Sequence, residues 1–378
     1  MFLKITVMSF NDPKDKRTWS GTMSNMYEAL KRNGFEVDTL TLKNWFTRFY
    51  IRGTMFYLNR IKKKGVANFE TTKFGAKYWG KRADKLVHDQ DKKSNYYFCP
   101  AGASIIAFAQ SKVKFVDLPD ATYALMNDYY YAGVDKQSAD CGDKIDRLAL
   151  QKSAKIILPS QWTYESVQND YDQPEAKLSL IPFGANMPEV KITPKTLMGK
   201  EINILLVGVE WKRKGIDIAL DVVTKLNEHS LAGYHYTLTI VGLDKPSDFT
   251  QSDVIFKGRL DKNDPVELSN LQAEYEKADL FLLPTQAEAA GIVFAEAAMY
   301  ALPVFTYDTG GVSQYVLNEK TGYTLPTSAT STDFVQQIEG LVTDTTNYHN
   351  MSKAARTYYD TTLNWDAWAD SVKSFLKS

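Results

Sequence analysis

Two carboxylates near the middle of the second half of the chain could act on a phosphorylated ligand. Glu288 and Glu296 lie eight positions apart in the run Pro284–Glu296, after an apolar strand and across the start of an apolar helix at Gly291. Glu288 is expected beside the helix N-terminus, whose backbone N–H groups attract anions. Glu296 lies among apolar residues and needs hydrogen-bond donors. Ribose hydroxyls would supply them; the alternative is that Glu296 faces solvent on the helix edge.

A basic loop earlier in the same half could bind a diphosphate. The run Gly208–Gly215, GVEWKRKG, follows an apolar strand and precedes a helix, and it contains Lys212, Arg213 and Lys214. Cations at this junction can neutralise the charge of a phosphate leaving group. The alternative is a solvated basic turn. The GxGxxG fingerprint is absent here, which disfavours a dinucleotide-dependent oxidoreductase.

Three further segments are expected at strand ends. Asp308–Gly311 carries paired glycines that allow close approach to a ligand, or form a plain turn. Trp19–Thr22 lies between the first strand and the first helix, which we predict over Gly21–Asn33 with Ser20 as its N-cap. Asp120 follows another strand, and either caps a helix or takes part in catalysis.

The elements that position these residues alternate between strands and helices, which predicts parallel sheets covered by helices. We expect an N-terminal domain over residues 1–187, a linker over 188–200, a C-terminal domain over 201–360 and a C-terminal helix over 361–378. The predicted strands are Phe2–Phe10, Phe35–Leu42, Tyr96–Cys99, Lys114–Leu118, Lys155–Pro159, Lys177–Phe183, Ile202–Gly208, Thr237–Gly242, Val254–Gly258, Leu280–Pro284 and Pro303–Tyr307. The later helices are predicted over Ile216–Asn227, Glu267–Ala278 and Ile292–Leu302.

Composition narrows the class of protein. The 378 residues suit two domains, and a net charge of zero gives no general attraction to nucleic acid. Two cysteines exclude a disulfide framework, and the four histidines have no metal-ligand spacing. The N-terminal residues resemble a strand more than a signal peptide. We expect a cytoplasmic protein, which can be peripheral on the inner face of the plasma membrane.

Together these segments resemble one enzyme family. Pro284–Glu296 resembles the E-x7-E signature of retaining glycosyltransferases of family 4, which have the GT-B fold. Ala297–Gly311 resembles the continuation of that signature, and Gly208–Gly215 resembles the family's phosphate loop. Shorter segments are similar to elements of a bacterial branch of the family: Trp19–Thr22, Leu158–Trp162 and Ile181–Asn186.

The resemblance implies a fold and residue roles. The fold would be two Rossmann-like, doubly wound domains facing a central cleft, with a C-terminal helix that can cross back to the N-terminal domain. Glu288 would contact the donor sugar, Glu296 would hold the ribose, and Lys214 would bind the diphosphate. Other donor-binding positions would be Arg213 beside Lys214, the backbone of Gly291 and Ile292, Gly21 from the other domain, and Arg259 and Leu260 around the base.

Two positions depart from the family pattern. Many members have Arg directly after the first glycine of the phosphate loop, where this chain has Val209. Many also have a histidine in the N-terminal domain near the reacting carbon, where the comparable strand end offers Asp120. At these two positions the resemblance therefore supplies no matching residue for the second cation or for the acceptor-side catalytic group.

The resemblance implies a metal-independent enzyme without a cofactor. A nucleoside diphosphate sugar, with a UDP-sugar as the preferred choice, would donate a hexosyl unit to a glycan, a lipid-linked acceptor or a protein hydroxyl, in bacterial glycan, glycolipid or cell-envelope synthesis. The leaving diphosphate itself would take the acceptor's proton. Two alternatives stay open: a non-catalytic sugar-nucleotide-binding partner subunit, and another enzyme such as an epimerase on a similar scaffold.

A basic and aromatic segment lies in the first half. Residues 43–85 contain twelve Lys or Arg and only two acids, with aromatic residues interleaved. Trp45–Tyr50 and Arg60–Lys64 could lie on an anionic membrane surface. The alternative is a pair of helices whose aromatic side chains pack on the sheet while their basic faces are solvated. No nucleic-acid-binding module accompanies the charge, so we expect no nucleic acid partner.

Overall fold

The computed structural model describes residues 3–61, 68–127, 129–130, 133–229 and 233–378. Two compact units form the chain: Met1–Pro182 with Trp368–Ser378, and Phe183–Ala367. The segment 188–200, predicted as a linker, lies within the second unit and contains neither helix nor strand. Phe2 of the first predicted strand and Lys62–Lys64 of the basic segment lie outside the described residues.

The first unit contains a parallel sheet whose order, β2-β1-β3-β4-β5-β6, reverses between β1 and β3. Consecutive residues of β1, β3, β4 and β5 are buried, as expected where helices cover both faces of a parallel sheet. The six strands of the described residues are β1 Lys4–Ser9, β2 Glu36–Thr41, β3 Tyr96–Pro100, β4 Phe115–Leu118, β5 Lys155–Leu158 and β6 Leu178–Leu180.

Helices cover this sheet, and side-chain caps begin several of them. Asp135 caps α6 by accepting a hydrogen bond from Ser138 N, and Ser160 caps α7 by accepting one from Thr163 N. A π-helical turn, Tyr57–Ile61, follows α2. The helices are α1 Thr22–Arg32, α2 Trp45–Phe56, α3 Lys73–His88, α4 Ala103–Ile106, α5 Tyr123–Met126, α6 Lys136–Lys152 and α7 Gln161–Asn169.

The start of α1 differs from the sequence prediction. Helix α1 begins at Thr22, and Gly21 rather than Ser20 occupies the N-cap position. Trp19 and Ser20 have φ angles of 50° and 54°, in the left-handed region, so the chain turns sharply before the helix. Ser20 therefore cannot adopt the extended backbone that a capping serine uses. The prediction of Ser20 as N-cap was wrong.

The second unit contains another parallel sheet, ordered β12-β11-β10-β7-β8-β9, which reverses between β7 and β10. This is the strand order of a Rossmann fold. The described strands are β7 Glu201–Val207, β8 His235–Val241, β9 Val254–Phe256, β10 Leu280–Leu283, β11 Val304–Tyr307 and β12 Gly322–Leu325. The helices are α8 Ile216–His229, α9 Pro265–Lys277, α10 Ile292–Met299, α11 Ser331–Thr343, α12 Thr345–Thr361 and α13 Trp365–Lys377, the last of which belongs to the first unit from Trp368 onward.

The two-domain α/β fold class predicted from the sequence is confirmed by these two parallel sheets. Each of the eleven predicted strands has a counterpart, with ends shifted by at most three residues. Strand β12 and helices α11 and α12 were not predicted individually. No helix in the described part of the chain combines the length and apolar character needed to span a bilayer.

Candidate active site

The candidate site of the second unit lies where the strand order of its sheet reverses. Loop Gly208–Gly215 leaves the carboxyl end of β7, and loop Pro284–Gly291 leaves the carboxyl end of the adjacent strand β10. Open α/β sheets bind ligands at this position because the loops of neighbouring strands separate in opposite directions. The two motifs chosen from the sequence therefore meet at one edge of one sheet.

Lys214 and Glu288 form an ion pair between these two loops. Lys214 Nζ donates a hydrogen bond to Glu288 Oε2, and the Lys214 and Glu288 side chains are only 9% and 16% exposed. Arg213 Nη1 lies 3.7 Å from the same carboxylate oxygen. Two cations and one carboxylate thus share a half-buried space, where electrostatic interactions are stronger than at the surface.

The backbone holds the two loops together. Arg213 O accepts hydrogen bonds from Gln286 N at 2.7 Å and from the Thr285 hydroxyl at 3.2 Å. Arg213 Nη1 donates to Ala287 O at 3.0 Å, while its Nη2 donates to Glu210 Oε1 at 2.7 Å. Arg213, predicted from the sequence to assist Lys214, therefore also fixes the position of the loop Pro284–Gly291.

Glu296 is buried inside α10 and has protein donors on both oxygens. Its side chain is 2% exposed, so the alternative in which it faces solvent was wrong. Lys262 Nζ donates to Oε1, and the Tyr275 hydroxyl donates to Oε2 at 3.2 Å. Burial raises the pKa of Tyr275 well above its usual value, and the nearby Glu296 raises it further, so this hydroxyl keeps its proton.

Lys262 and Tyr275 were not identified from the sequence. Lys262 lies between β9 and α9, and Tyr275 lies in α9; both are distant from Glu296 in sequence. The signal that could have found them was the requirement that a carboxylate in an apolar helix have donors. That requirement was assigned to a ligand, although the chain supplies two donors itself.

The remaining residues predicted in the second unit lie around these loops. Gly291, with a φ of 69°, occupies the N-cap position of α10, and Ile292 opens the helix. Gly311 N donates to Glu288 O at 2.9 Å, which places the Asp308–Gly311 loop beside the pair. Arg259 is exposed and Leu260 half-buried, on the segment between β9 and Lys262.

Asp120 and Gly21 lie in the first unit. Asp120 follows β4, and its Oδ1 accepts a hydrogen bond from Ala121 N at 3.0 Å. Thr122, not Asp120, caps the short helix α5, by accepting from Leu125 N. Asp120 is therefore not a helix cap, and its catalytic role stays a prediction. Gly21 O accepts from Asn25 Nδ2 at 3.0 Å.

Val209 and Asp120 are the two positions that depart from the pattern of the family that the sequence resembles. Val209, which stands where many family members have Arg, is 58% exposed. Among the described residues, no three His, Cys, Asp or Glu side chains cluster as ligands for a metal ion. Lys214 and Arg213 both provide positive charge at this sheet edge.

Part of the second unit is similar to a known protein family. Residues 191–358, which include the Lys214, Glu288 and Glu296 positions, match the family described as glycosyl transferases group 1. This match spans 168 of the 378 residues. The chain is 29% identical over 231 residues to the lipopolysaccharide glucosyltransferase WaaG of Escherichia coli K12, covering 56% of this chain and 59% of that protein.

A second curated relative is the capsular polysaccharide biosynthesis glycosyltransferase CapM of Staphylococcus aureus, 24% identical over 62% of this chain and 65% of that protein. The alignments thus span less than two thirds of either relative. A solved structure, sucrose-phosphate synthase from Thermosynechococcus elongatus, has a TM-score of 0.69 at 17% identity over 99% of this chain and 98% of its own. This structural similarity shows a shared two-domain fold.

Proposed function

We propose that the protein is a retaining glycosyltransferase of family 4 that transfers a hexosyl unit from a nucleoside diphosphate sugar to a hydroxyl acceptor. The observation that supports this most is the Lys214–Glu288 pair at the switch point between β7 and β10. A diphosphate and a sugar need a cation and a hydrogen-bond acceptor side by side, and this pair supplies both. The match to group 1 glycosyl transferases supports the same activity.

In this proposal, Lys214 and Arg213 stabilise the diphosphate as the glycosidic bond breaks. Negative charge grows on the leaving group, and cations already held in place lower the energy of that state. The N-terminus of α10 at Gly291 adds backbone N–H groups and the positive end of the helix dipole. Because the leaving group's charge is balanced by the protein's own cations, we propose a metal-independent reaction without a cofactor.

In this proposal, Glu288 and Glu296 bind two other parts of the donor, the sugar and the ribose. Once Lys214 turns to the diphosphate, Glu288 is free to accept hydrogen bonds from hydroxyls of the donor sugar. Glu296 is proposed to accept hydrogen bonds from the ribose, with Lys262 and Tyr275 holding its carboxylate in place. The donor base would lie near Arg259 and Leu260, and a UDP-sugar is our preferred donor.

Retention of configuration places the acceptor hydroxyl on the same face as the leaving group, and the diphosphate takes its proton. The acceptor is proposed to be a bacterial glycan, a lipid-linked sugar or a protein hydroxyl. Two relatives named for lipopolysaccharide and capsular polysaccharide synthesis support a role in cell-envelope glycans. Asp120 is proposed as an acceptor-side group.

The test is a donor panel with the purified chain. UDP-glucose, UDP-N-acetylglucosamine and GDP-mannose are incubated separately with and without EDTA, and proton NMR follows the anomeric signals before mutarotation. We expect one donor to release its nucleoside diphosphate, with an α-anomer appearing first and EDTA having no effect. Binding of a donor without turnover, in the presence of a glycan acceptor mixture, would instead identify a non-catalytic subunit.

We further propose that α2 contacts an anionic membrane surface. Its aromatic side chains Trp45, Phe46 and Phe49 are 65%, 73% and 59% exposed, so the alternative in which they pack on the sheet was wrong for them. Arg48 and Arg52 are exposed on the same helix. Exposed aromatic and basic side chains on one helix favour the lipid interface. In the following helix, α3, the aromatic residue Trp79 is instead fully buried in the core.

A further inference from the structure

A polar cavity lies in the first unit. It has a volume of about 140 Å³ and opens at the carboxyl ends of β3 and β4. Its wall comes from the loops that follow these strands and from α6. At about 30 Å³ per water molecule, the space equals four or five waters. It is smaller than the ~300 Å³ of a site for a drug-sized ligand, and comparable with one sugar ring.

Two buried polar atoms on this wall lack a partner in the described residues. Asp117, in β4, is 1% exposed, and its Oδ1 accepts no hydrogen bond. Ser104, in α4, is 3% exposed, and its Oγ makes none either. More than nine in ten buried polar groups of folded proteins are hydrogen-bonded, so these two atoms on one cavity wall are positions where a bound polar molecule would gain hydrogen bonds.

The charge of the cavity wall narrows the chemistry of that ligand. Four acids line it, and none of the described lining residues is Lys, Arg or His. These acids are Glu70, Asp117, Asp120 and Asp146. A phosphate or carboxylate would find no cation among the described lining residues, whereas a group that donates several hydrogen bonds would meet acceptors.

The protonation of the cavity acids fits an uncharged ligand. Burial raises the pKa of Asp117 to about 8, and the neighbouring Asp146 adds to the shift. Burial likewise raises the pKa of Asp146 to about 7, although its Oδ2 accepts a hydrogen bond from Tyr123 N at 2.6 Å. A carboxyl that is protonated near neutral pH both donates and accepts, as a sugar hydroxyl does.

We infer that this cavity is an acceptor subsite that binds one uncharged, polyhydroxyl sugar ring through Asp117, Ser104 and Asp146. The inference rests on the proposed glycosyltransferase function and specifies its acceptor. The ring that enters carries neither phosphate nor carboxylate. Its hydroxyls donate to the two carboxyl groups, and one accepts from or donates to Ser104 Oγ. Asp117 and Ser104 are thus binding and specificity residues.

Saturation-transfer NMR on the full chain, without nucleotide, tests this inference. The probes are the methyl glycosides of glucose, galactose, mannose and N-acetylglucosamine, with glucose 6-phosphate as the anionic comparison. We expect at least one methyl glycoside to bind, and glucose 6-phosphate not to bind. Asp117→Leu should weaken binding by about tenfold or more because it removes both acceptor oxygens at similar volume.

Two other variants keep the result interpretable. Asp140→Leu changes an exposed acid of α6 that pairs with Lys136, and it should bind like the wild type. Ser104→Ala removes one atom and should weaken binding even if Asp117→Leu fails to fold. Absence of binding by every glycoside, or equal binding by all variants, or equal binding of the phosphate, overturns the inference.

The same samples separate this inference from the proposed function. If a methyl glycoside binds through Asp117 but no nucleotide sugar turns over, the cavity is a sugar site and the transferase proposal fails. If a nucleotide sugar turns over but no glycoside depends on Asp117 or Ser104, the transferase proposal stands and the cavity assignment fails.

Discussion

Gly215 packs so closely against Pro284 that a side chain at position 215 would overlap the Pro284 carbonyl oxygen. The φ angle of Gly215 is 69°, a left-handed conformation that other residues rarely adopt. This contact joins the end of the basic loop to the end of β10. It sets the distance between Lys214, which precedes Gly215, and Glu288, which follows Pro284.

Gly215→Ala should therefore disrupt the candidate site as well as the backbone. We expect the free energy of unfolding to fall by about 2–4 kcal/mol, from left-handed strain and from overpacking. The control is Gly199→Ala, which has a φ of 92° but no neighbouring atom within 4 Å of an added Cβ. In Gly199→Ala, the free energy of unfolding should fall only by the amount that left-handed strain costs. Denaturant unfolding measures both, and equal losses would contradict the importance of the Gly215–Pro284 contact.

Glu296 and Lys262 should have separable effects on donor binding and stability. Glu296→Gln should weaken UDP binding by about tenfold, because a charged acceptor of the ribose is lost. Lys262→Met should lower the free energy of unfolding by about 1–3 kcal/mol, because a buried carboxylate loses its cationic partner. Calorimetric titration and denaturant unfolding measure the two effects.

Exposed positions of α9 provide the controls for this pair. Glu276→Gln and Lys277→Met change exposed side chains and should alter neither quantity. Unchanged UDP binding in Glu296→Gln would show that Glu296 serves only the internal bond to Lys262 and Tyr275.

Asp117 should make the stability of the protein depend on pH. Its folded-state pKa is raised to about 8 from an ordinary value of 3.8, so between these values the folded chain binds more protons than the unfolded chain. The free energy of unfolding should therefore fall as pH rises through this window, by up to about 1.4 kcal/mol per pH unit from this group.

Asp117→Asn should remove that slope. Urea unfolding of both proteins at pH 5, 6, 7 and 8 gives the comparison. We expect the variant to gain stability relative to the wild type as pH rises. Parallel curves would mean that Asp117 titrates in the folded protein as it does in the unfolded chain.

The exposed aromatic residues of α2 should control membrane binding. Replacing Trp45, Phe46 and Phe49 together by Ser should reduce co-sedimentation with vesicles that contain anionic phosphatidylglycerol, by about tenfold or more. Binding of the wild type should also fall as salt rises, because Arg48 and Arg52 contribute by charge. Since these side chains are already exposed, thermal stability should not fall. Salt-independent binding, or binding retained by the triple variant, would contradict the membrane proposal.

The sequence predicted β7, β10 and the loops that follow them because the signals for these segments are local. Apolar runs that end in Gly or Pro located β7 and β10, and the charged loops followed at once in the chain. That Lys214 and Glu288 meet follows from the pairing of β7 with β10, which no local signal predicts, whereas the motif resemblance placed both residues on the donor. The exact ends of the strands were missed, as with β6, because a three-residue strand carries little periodicity.

Contacts between distant residues could not be predicted in this way. Lys262 and Tyr275 reach Glu296 from other elements, and no local pattern marks them. Ser20 was misplaced because a serine before a helix usually caps it, and the left-handed turn at Trp19 overrides that preference. The burial of Asp117 could not be predicted either, because an isolated Asp within a short strand has no sequence signature.

Substitution of Lys214 tests the central claim most directly. Release of nucleoside diphosphate from the preferred donor is measured at saturation for the wild type, Lys214→Ala and Lys212→Ala, whose exposed lysine lies in the same loop. We predict that Lys214→Ala lowers kcat by about 10²–10³-fold, as the loss of a transition-state contact does, while Lys212→Ala stays within about twofold. Equal rates for wild type and Lys214→Ala would contradict the assignment of this lysine, and with it the proposed donor site.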